Sequence, residues 1–144
     1  RGEFVALIAR ALGLKPNSGI TRFADVEQNS WYASAVAAAQ EAGIVAGVSD
    51  TQFAPDNTIT REEMAVILVN AYVYSQGGIE RKEQEAPFAD RDEIRSWALD
   101  AVNAAYETGL VIGRDNQMFV PQGKLTRAEA ARAILNLLDK INRQ

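Results

Sequence analysis

The residues best placed to do chemistry are three arginines, each at the head of an apolar stretch. Arg61 lies in Ile59-Thr60-Arg61-Glu62-Glu63, Arg127 in Leu125-Thr126-Arg127-Ala128-Glu129, and Arg1 in Arg1-Gly2-Glu3. In the two longer runs a Thr precedes a Glu by three residues, the capping-box pattern. The Thr hydroxyl accepts from the N3 amide, and the N3 Glu accepts from the N-cap amide. Thr60 and Thr126 are therefore predicted to open helices. An Arg in the first turn faces the positive end of the helix dipole, which costs about 0.3–1 kcal/mol. An anion-binding task would explain why that cost is incurred twice. The planar guanidinium fork suits a carboxylate, and helix N-terminal amides would add to the same field. The bland alternative is a surface Arg paired with a neighbouring acid. Glu62 places an acid beside Arg61, so the expected ranking is Arg127 first, Arg61 second and Arg1 a remnant.

Other residue types fit a carbohydrate or anion site. Trp31 and Trp97 either stack on a sugar face or anchor a core, and their matched positions do not choose between the two. Asp25 and Asp90 either accept from sugar hydroxyls or brace the turn before a helix, and bracing is the favoured reading. Gly47 and Gly113 either let backbone approach a ligand or satisfy a turn. Catalysis has little support. His and Cys are absent, and the chain has no Gly-x-Ser-x-Gly elbow or phosphate loop. The loops around Asp50 and Asp56-Asn57 lack the acidic alternation, central Gly and closing Glu of an EF-hand. No metal, cofactor or catalytic residue is expected.

Composition narrows the class. The 144 residues are 47% hydrophobic and 24% charged, with net charge −4. These values suit one globular domain without a basic field, which argues against nucleic-acid binding. They leave room for a small anion on one or two arginines. Without cysteine there is no disulfide framework. No apolar run reaches the roughly 18–20 residues needed to span a bilayer, so no membrane insertion is expected.

The strongest signal in the chain is an internal repeat. Trp31 pairs with Trp97, Gly43 with Gly109, Gly47 with Gly113, Phe53 with Phe119, Pro55 with Pro121 and Thr60-Arg61 with Thr126-Arg127, all 66 residues apart. Phe23-Ala24-Asp25 matches Phe88-Ala89-Asp90 at a spacing of 65, and Arg1, Glu3 and Phe4 match Arg61, Glu63 and Met64 at 60. Each full unit reads as helix, loop, helix. Ser30 is predicted to cap a helix over about 31–42 that ends at Gly43, and its mate runs over about 97–108 to Gly109. Phe53-Ala54-Pro55 and Phe119-Val120-Pro121 read as short extended pieces. The second helices carry apolar stripes at 3.6-residue spacing: Phe4, Leu7, Ile8 and Ala11; Met64, Ile67, Leu68 and Ala71; Ala130, Ala133, Ile134 and Leu137. Three such stripes predict an all-α fold with three helices around one core. Residues 15–22 and 75–87 read as linkers.

Phe-Ala-Asp, Trp31 with Ala35-Val36, Gly43-Ile44-Val45-Ala46-Gly47, Phe53-Ala54-Pro55 and Ile59-Thr60-Arg61-Glu62-Glu63, in that order, resemble the S-layer homology family. Phe88-Ala89-Asp90, Trp97, Gly109-Leu110-Val111-Ile112-Gly113, Phe119-Val120-Pro121 and Leu125-Thr126-Arg127-Ala128-Glu129 repeat the match. The resemblance implies a single domain over 1–144: the second half of repeat 1 at 1–14, repeat 2 at 23–74 and repeat 3 at 88–142. It further implies a pseudo-threefold bundle with grooves between repeats. In these grooves a motif Arg helps bind a pyruvylated secondary cell wall polysaccharide, anchoring a surface protein non-covalently outside the cell. The expected ligand residues are Arg61, Arg127, Arg1, Trp31, Trp97, Gly47, Gly113, Asp25 and Asp90. The expected partner is an anionic wall polysaccharide, with the missing front half of repeat 1 as a candidate separate chain. The competing expectation is a structural protein–protein or lattice module that binds no glycan.

Overall fold

The computed structural model describes residues 1–15, 23–47, 49, 51–80 and 85–142. Among these, five α-helices alternate with ordered loops: α1 (Gly2–Leu12), α2 (Ala33–Glu41), α3 (Arg61–Gln76), α4 (Ser96–Thr108) and α5 (Arg127–Asn142). A single-turn 3₁₀ segment, Arg91–Glu93, precedes α4, and Asp115–Gln117 after it is a tight turn with Asn116 and Gln117 at positive φ. No strand forms among the described residues; extended backbone pairs only at the isolated bridges Thr60–Lys124 and Arg114–Met118. The fold is all-α. No helix among the described residues is long and apolar enough to cross a membrane.

The chain separates into two compact units, Arg1–Thr58 and Ile59–Gln144. The division falls inside repeat 2, between its two helices. Each unit therefore joins the second helix of one repeat to the first half of the next.

In the first unit α1 packs on α2. α1 buries Phe4, Val5, Ile8 and Ala9, while Leu7 is exposed and Ala11 only partly covered, so its buried stripe is rotated from the predicted one. α2 is rich in Ala and buries Val36, Ala37, Ala38 and Ala39. It begins later than its Ser predicts: the Ser30 hydroxyl donates to the Glu27 carbonyl at 2.7 Å, stabilising the preceding turn instead of capping the helix. Gly43 ends the helix as expected, with φ of 76° and the next amide returning to Ala39 O at 2.9 Å.

In the second unit α3 packs on both α4 and α5. The predicted α3 stripe, Met64, Ile67, Leu68 and Ala71, is buried throughout. On α5 only Ala133 and Leu137 of the predicted stripe are fully covered. Both capping boxes close. Thr60 Oγ1 accepts from Glu63 N at 3.2 Å and Thr126 Oγ1 from Glu129 N at 3.1 Å. In return, Glu63 and Glu129 accept from Thr60 N and Thr126 N at 3.3 and 3.0 Å. α3 runs two residues into the predicted linker before Gly77 stops it, and Ala86 near the linker's end is buried with its amide on Asn103 Oδ1 at 2.9 Å. The middle of that linker (81–84) and most of the first (16–22) lie outside the described residues.

Candidate functional site

The site in the second unit is assembled from the loop that joins α4 to α5. Asp90, buried at the end of Phe88-Ala89-Asp90, accepts from Phe119 N and Val120 N, each at 2.8 Å. Presenting two successive amides to one carboxylate requires a sharp turn, and Val120 takes φ of 58° to make it. Phe119-Val120-Pro121 is therefore a clamp around a carboxylate and not the extended piece its composition predicts. The Phe119 ring packs against Phe88 at 5.1 Å. Gly113 sits over Phe88, where an added Cβ would lie 2.7 Å from Cε1 and 2.9 Å from Met118 O.

Arg61 fills the socket this loop creates. Its Nε donates to Phe119 O at 2.7 Å and its Nη2 to Ile112 O at 2.8 Å, while Nη1 pairs with the Glu129 carboxylate. The guanidinium also lies over the Phe119 ring, 4.9 Å from its centroid. Only 3% of the residue is exposed. Burial pushes its pKa down, Glu129 and Asp90 pull it back up, and Arg114 opposes them. The unfavourable dipole position is thus offset by three directed hydrogen bonds. The backbone of the helix start is used as well. Arg61 N and Glu62 N donate to Gly123 O and Pro121 O, each at 3.0 Å. The α3 amides expected to add to an anion's field are bonded within the protein.

The acid that meets Arg61 is Glu129 and not its neighbour Glu62. Arg114 grips Glu129 with a fork, Nε to Oε2 at 2.9 Å and Nη2 to Oε1 at 2.7 Å. The Arg114 bonds hold the Glu129 carboxyl at about 2, below its usual 4.5, with burial opposing and Thr126 N and Arg61 assisting. Glu62 is fully buried and points elsewhere, accepting from Arg95 N at 3.1 Å and pairing with the Arg95 side chain at 3.4 Å.

Between the first turns of α3 and α5 and the segment after α4 lies an open cleft of about 220 Å³. Met64, Leu110, Val111 and Ile112 give it an apolar wall. Arg61, Glu129, Arg132 and Asn136 supply its polar groups. Arg132 and Asn136 lie one turn apart on α5. Such a combination suits a small anionic group attached to an apolar or sugar framework.

The first unit builds the same socket from its own residues. Asp25 accepts from Phe53 N at 2.8 Å and Ala54 N at 2.7 Å, and Ala54 takes φ of 59°. Burial raises the Asp25 pKa, but these amides outweigh it and hold the carboxyl below its ordinary value. Arg1 donates from Nε to Phe53 O at 3.0 Å and from Nη2 to Ala46 O at 2.9 Å, over the Phe53 ring at 4.9 Å. Arg1 thus occupies a seat equivalent to that of Arg61, a closer likeness than its rank as a remnant predicts. Gly47 covers Phe23 as Gly113 covers Phe88, and an added Cβ would lie 2.4 Å from that ring.

Of the remaining expected site residues of the second unit, neither Arg127 nor Trp97 lines the cleft. Arg127, at the first position of α5, is exposed and does not line it. Trp31 and Trp97 are 60% and 56% exposed, so neither ring anchors a core. Trp31 packs edge-on against Tyr32, with Arg10 above it at 5.6 Å. Arg114 and Arg132 escape notice in the sequence, and Asn136 is legible there only as the repeat mate of Asn70. Arg114 and Arg132 align with Val48 and Val66 in repeat 2, so the repeat pattern does not flag them. No group of acids capable of holding a metal occurs among the described residues.

Comparison with known proteins supplies the context. Residues 22–65 and 87–131 each match the S-layer homology domain. The chain is 40% identical over 140 residues to an amylopullulanase of Thermoanaerobacterium thermosulfurigenes, covering 97% of this chain and 8% of that protein. It is 38% identical to the exoglucanase XynX of Acetivibrio thermocellus, over 99% of this chain and 13% of the relative. It is 31% identical to the surface-layer 125 kDa protein of Lysinibacillus sphaericus, over 99% of this chain and 12% of the relative. The chain thus spans only a small part of each of these proteins.

Proposed function

Because the chain belongs to the S-layer homology domain family, we propose that it is a non-catalytic anchor. On this reading it holds a larger extracellular protein on the bacterial cell wall by binding an anionic, pyruvylated wall polysaccharide in the cleft beside α5. The relatives support the anchoring part. An amylopullulanase, an exoglucanase and a surface-layer protein share this small segment, which supports a task they have in common.

The observation that carries the glycan reading is the charge of the cleft. In a chain of net charge −4, two arginines and one glutamate line it, and Arg114 neutralises that glutamate. A ligand therefore meets an excess of positive charge beside an apolar wall. A pyruvate ketal offers the matching pair, a carboxylate and a methyl group on one carbon. A charge-assisted hydrogen bond to such a carboxylate is worth about 1.5–3 kcal/mol.

Sedimentation with purified cell walls tests this. The chain is expected to pellet with intact walls and to stay in solution when mild acid has removed the ketals. Equal pelleting with both would overturn the pyruvate assignment, and no pelleting with either would overturn anchoring by this chain.

A further inference from the structure

Arg61 is the residue the repeats advertise, yet the residue is only 3% exposed and its guanidinium is directed at Phe119 O, Ile112 O and Glu129. Arg132 is the reverse case. It lines the same cleft, its side chain is exposed, and it makes no hydrogen bond or ion pair among the described residues. Asn136, on the same face of α5, and the 65%-exposed Ile112 flank the opening. An accessible guanidinium can bind a carboxylate bidentately without first giving up a protein partner. A buried one that already holds two carbonyls and a carboxylate would first have to give up one of them.

We propose that Arg132 is the cation that contacts the anionic group of the ligand in this cleft, and that Arg61 is a positioning residue holding the cleft's floor. The assignment rests on the reading that the cleft takes an anionic wall polysaccharide. It also makes this cleft individual, because the aligned residue of repeat 2 is Val66 and the cation is not a repeated feature.

The test is affinity of the whole chain for purified, ketal-bearing wall polymer, measured across a salt series. Arg132→Gln is expected to lower affinity about tenfold at low salt and to flatten the salt dependence, without changing the melting temperature. Arg132→Lys should keep most of the affinity. Arg91→Gln removes an exposed charge outside the cleft and should bind as the parent does. Parental affinity for Arg132→Gln, or an equal loss for Arg91→Gln, would overturn the assignment. A ketal-stripped polymer separates the two claims. If the parent binds both polymers equally and Arg132→Gln weakens both, the ketal reading fails and the role of Arg132 stands. If the parent binds neither polymer, both fall.

Discussion

At the residue scale, the first-turn arginines are chiefly part of the architecture. Arg61 joins α3 to two loop carbonyls and to Glu129, so its removal leaves a partly buried carboxylate and two carbonyls short of a donor. Arg61→Ala is expected to cost about 3 kcal/mol in a urea unfolding titration, at the lower end for breaking a buried pair because Arg114 still holds Glu129. Loss of wall binding in that variant would therefore say little about ligand contact. Val120 poses the opposite question. A β-branched residue at φ of 58° is strained by about 1–2 kcal/mol, and glycine would relieve it while gaining about 0.5–1 kcal/mol of unfolded-state entropy. Val120→Gly should thus melt at or slightly above the parent temperature. A clear fall would mean that Val120 side-chain packing outweighs its backbone strain.

At the element scale, helix starts and loop closures do different work. The two capping boxes fix where α3 and α5 begin, and either Thr60→Ala or Thr126→Ala should cost about 1 kcal/mol by thermal or chemical unfolding. The loop before α5 depends on Asp90 and on the absence of a side chain at Gly113. Gly113→Ala would force a methyl against Phe88 and against a backbone oxygen, so a loss of about 1–3 kcal/mol is expected. The two units agree in these devices. Asp25 with Phe53-Ala54 and Asp90 with Phe119-Val120 place the same pair of carbonyls around Arg1 and Arg61. Their agreement explains why the repeated residues are so legible: they build the socket.

At the scale of the whole molecule, the acid limb of stability carries the signature of these carboxylates. Glu129 titrates at about 2 in the folded chain against a usual 4.5, and Asp25 is also depressed. A depressed folded pKa gives stability that is full above the unfolded value and disappears as pH falls through the folded one. Melting temperature should therefore decline between about pH 4.5 and pH 2. The Glu129 share is about 1–2 kcal/mol after allowance for solvent screening, since 23% of the side chain is exposed. Glu129→Gln should lower stability at neutral pH and flatten that decline. An unchanged slope would exclude Glu129 as a contributor.

Sequence alone determined what is local and periodic. Thr and Glu three apart define a helix start, and Gly43 and Gly109 define helix ends because the left-handed geometry there favours glycine. The 66-residue echoes define a repeated helix–loop–helix. These features need only neighbours in the chain. The tertiary structure decided everything that depends on residues distant in sequence. It turned Asp25 and Asp90 onto amides about 30 residues away, seated Arg61 against Phe119 and Glu129, and put Glu62 on Arg95 instead of beside the guanidinium. It also brought Arg132 to the cleft. No pattern marks Arg132, because an exposed arginine on a polar helix face looks the same whether it faces open water or a binding site.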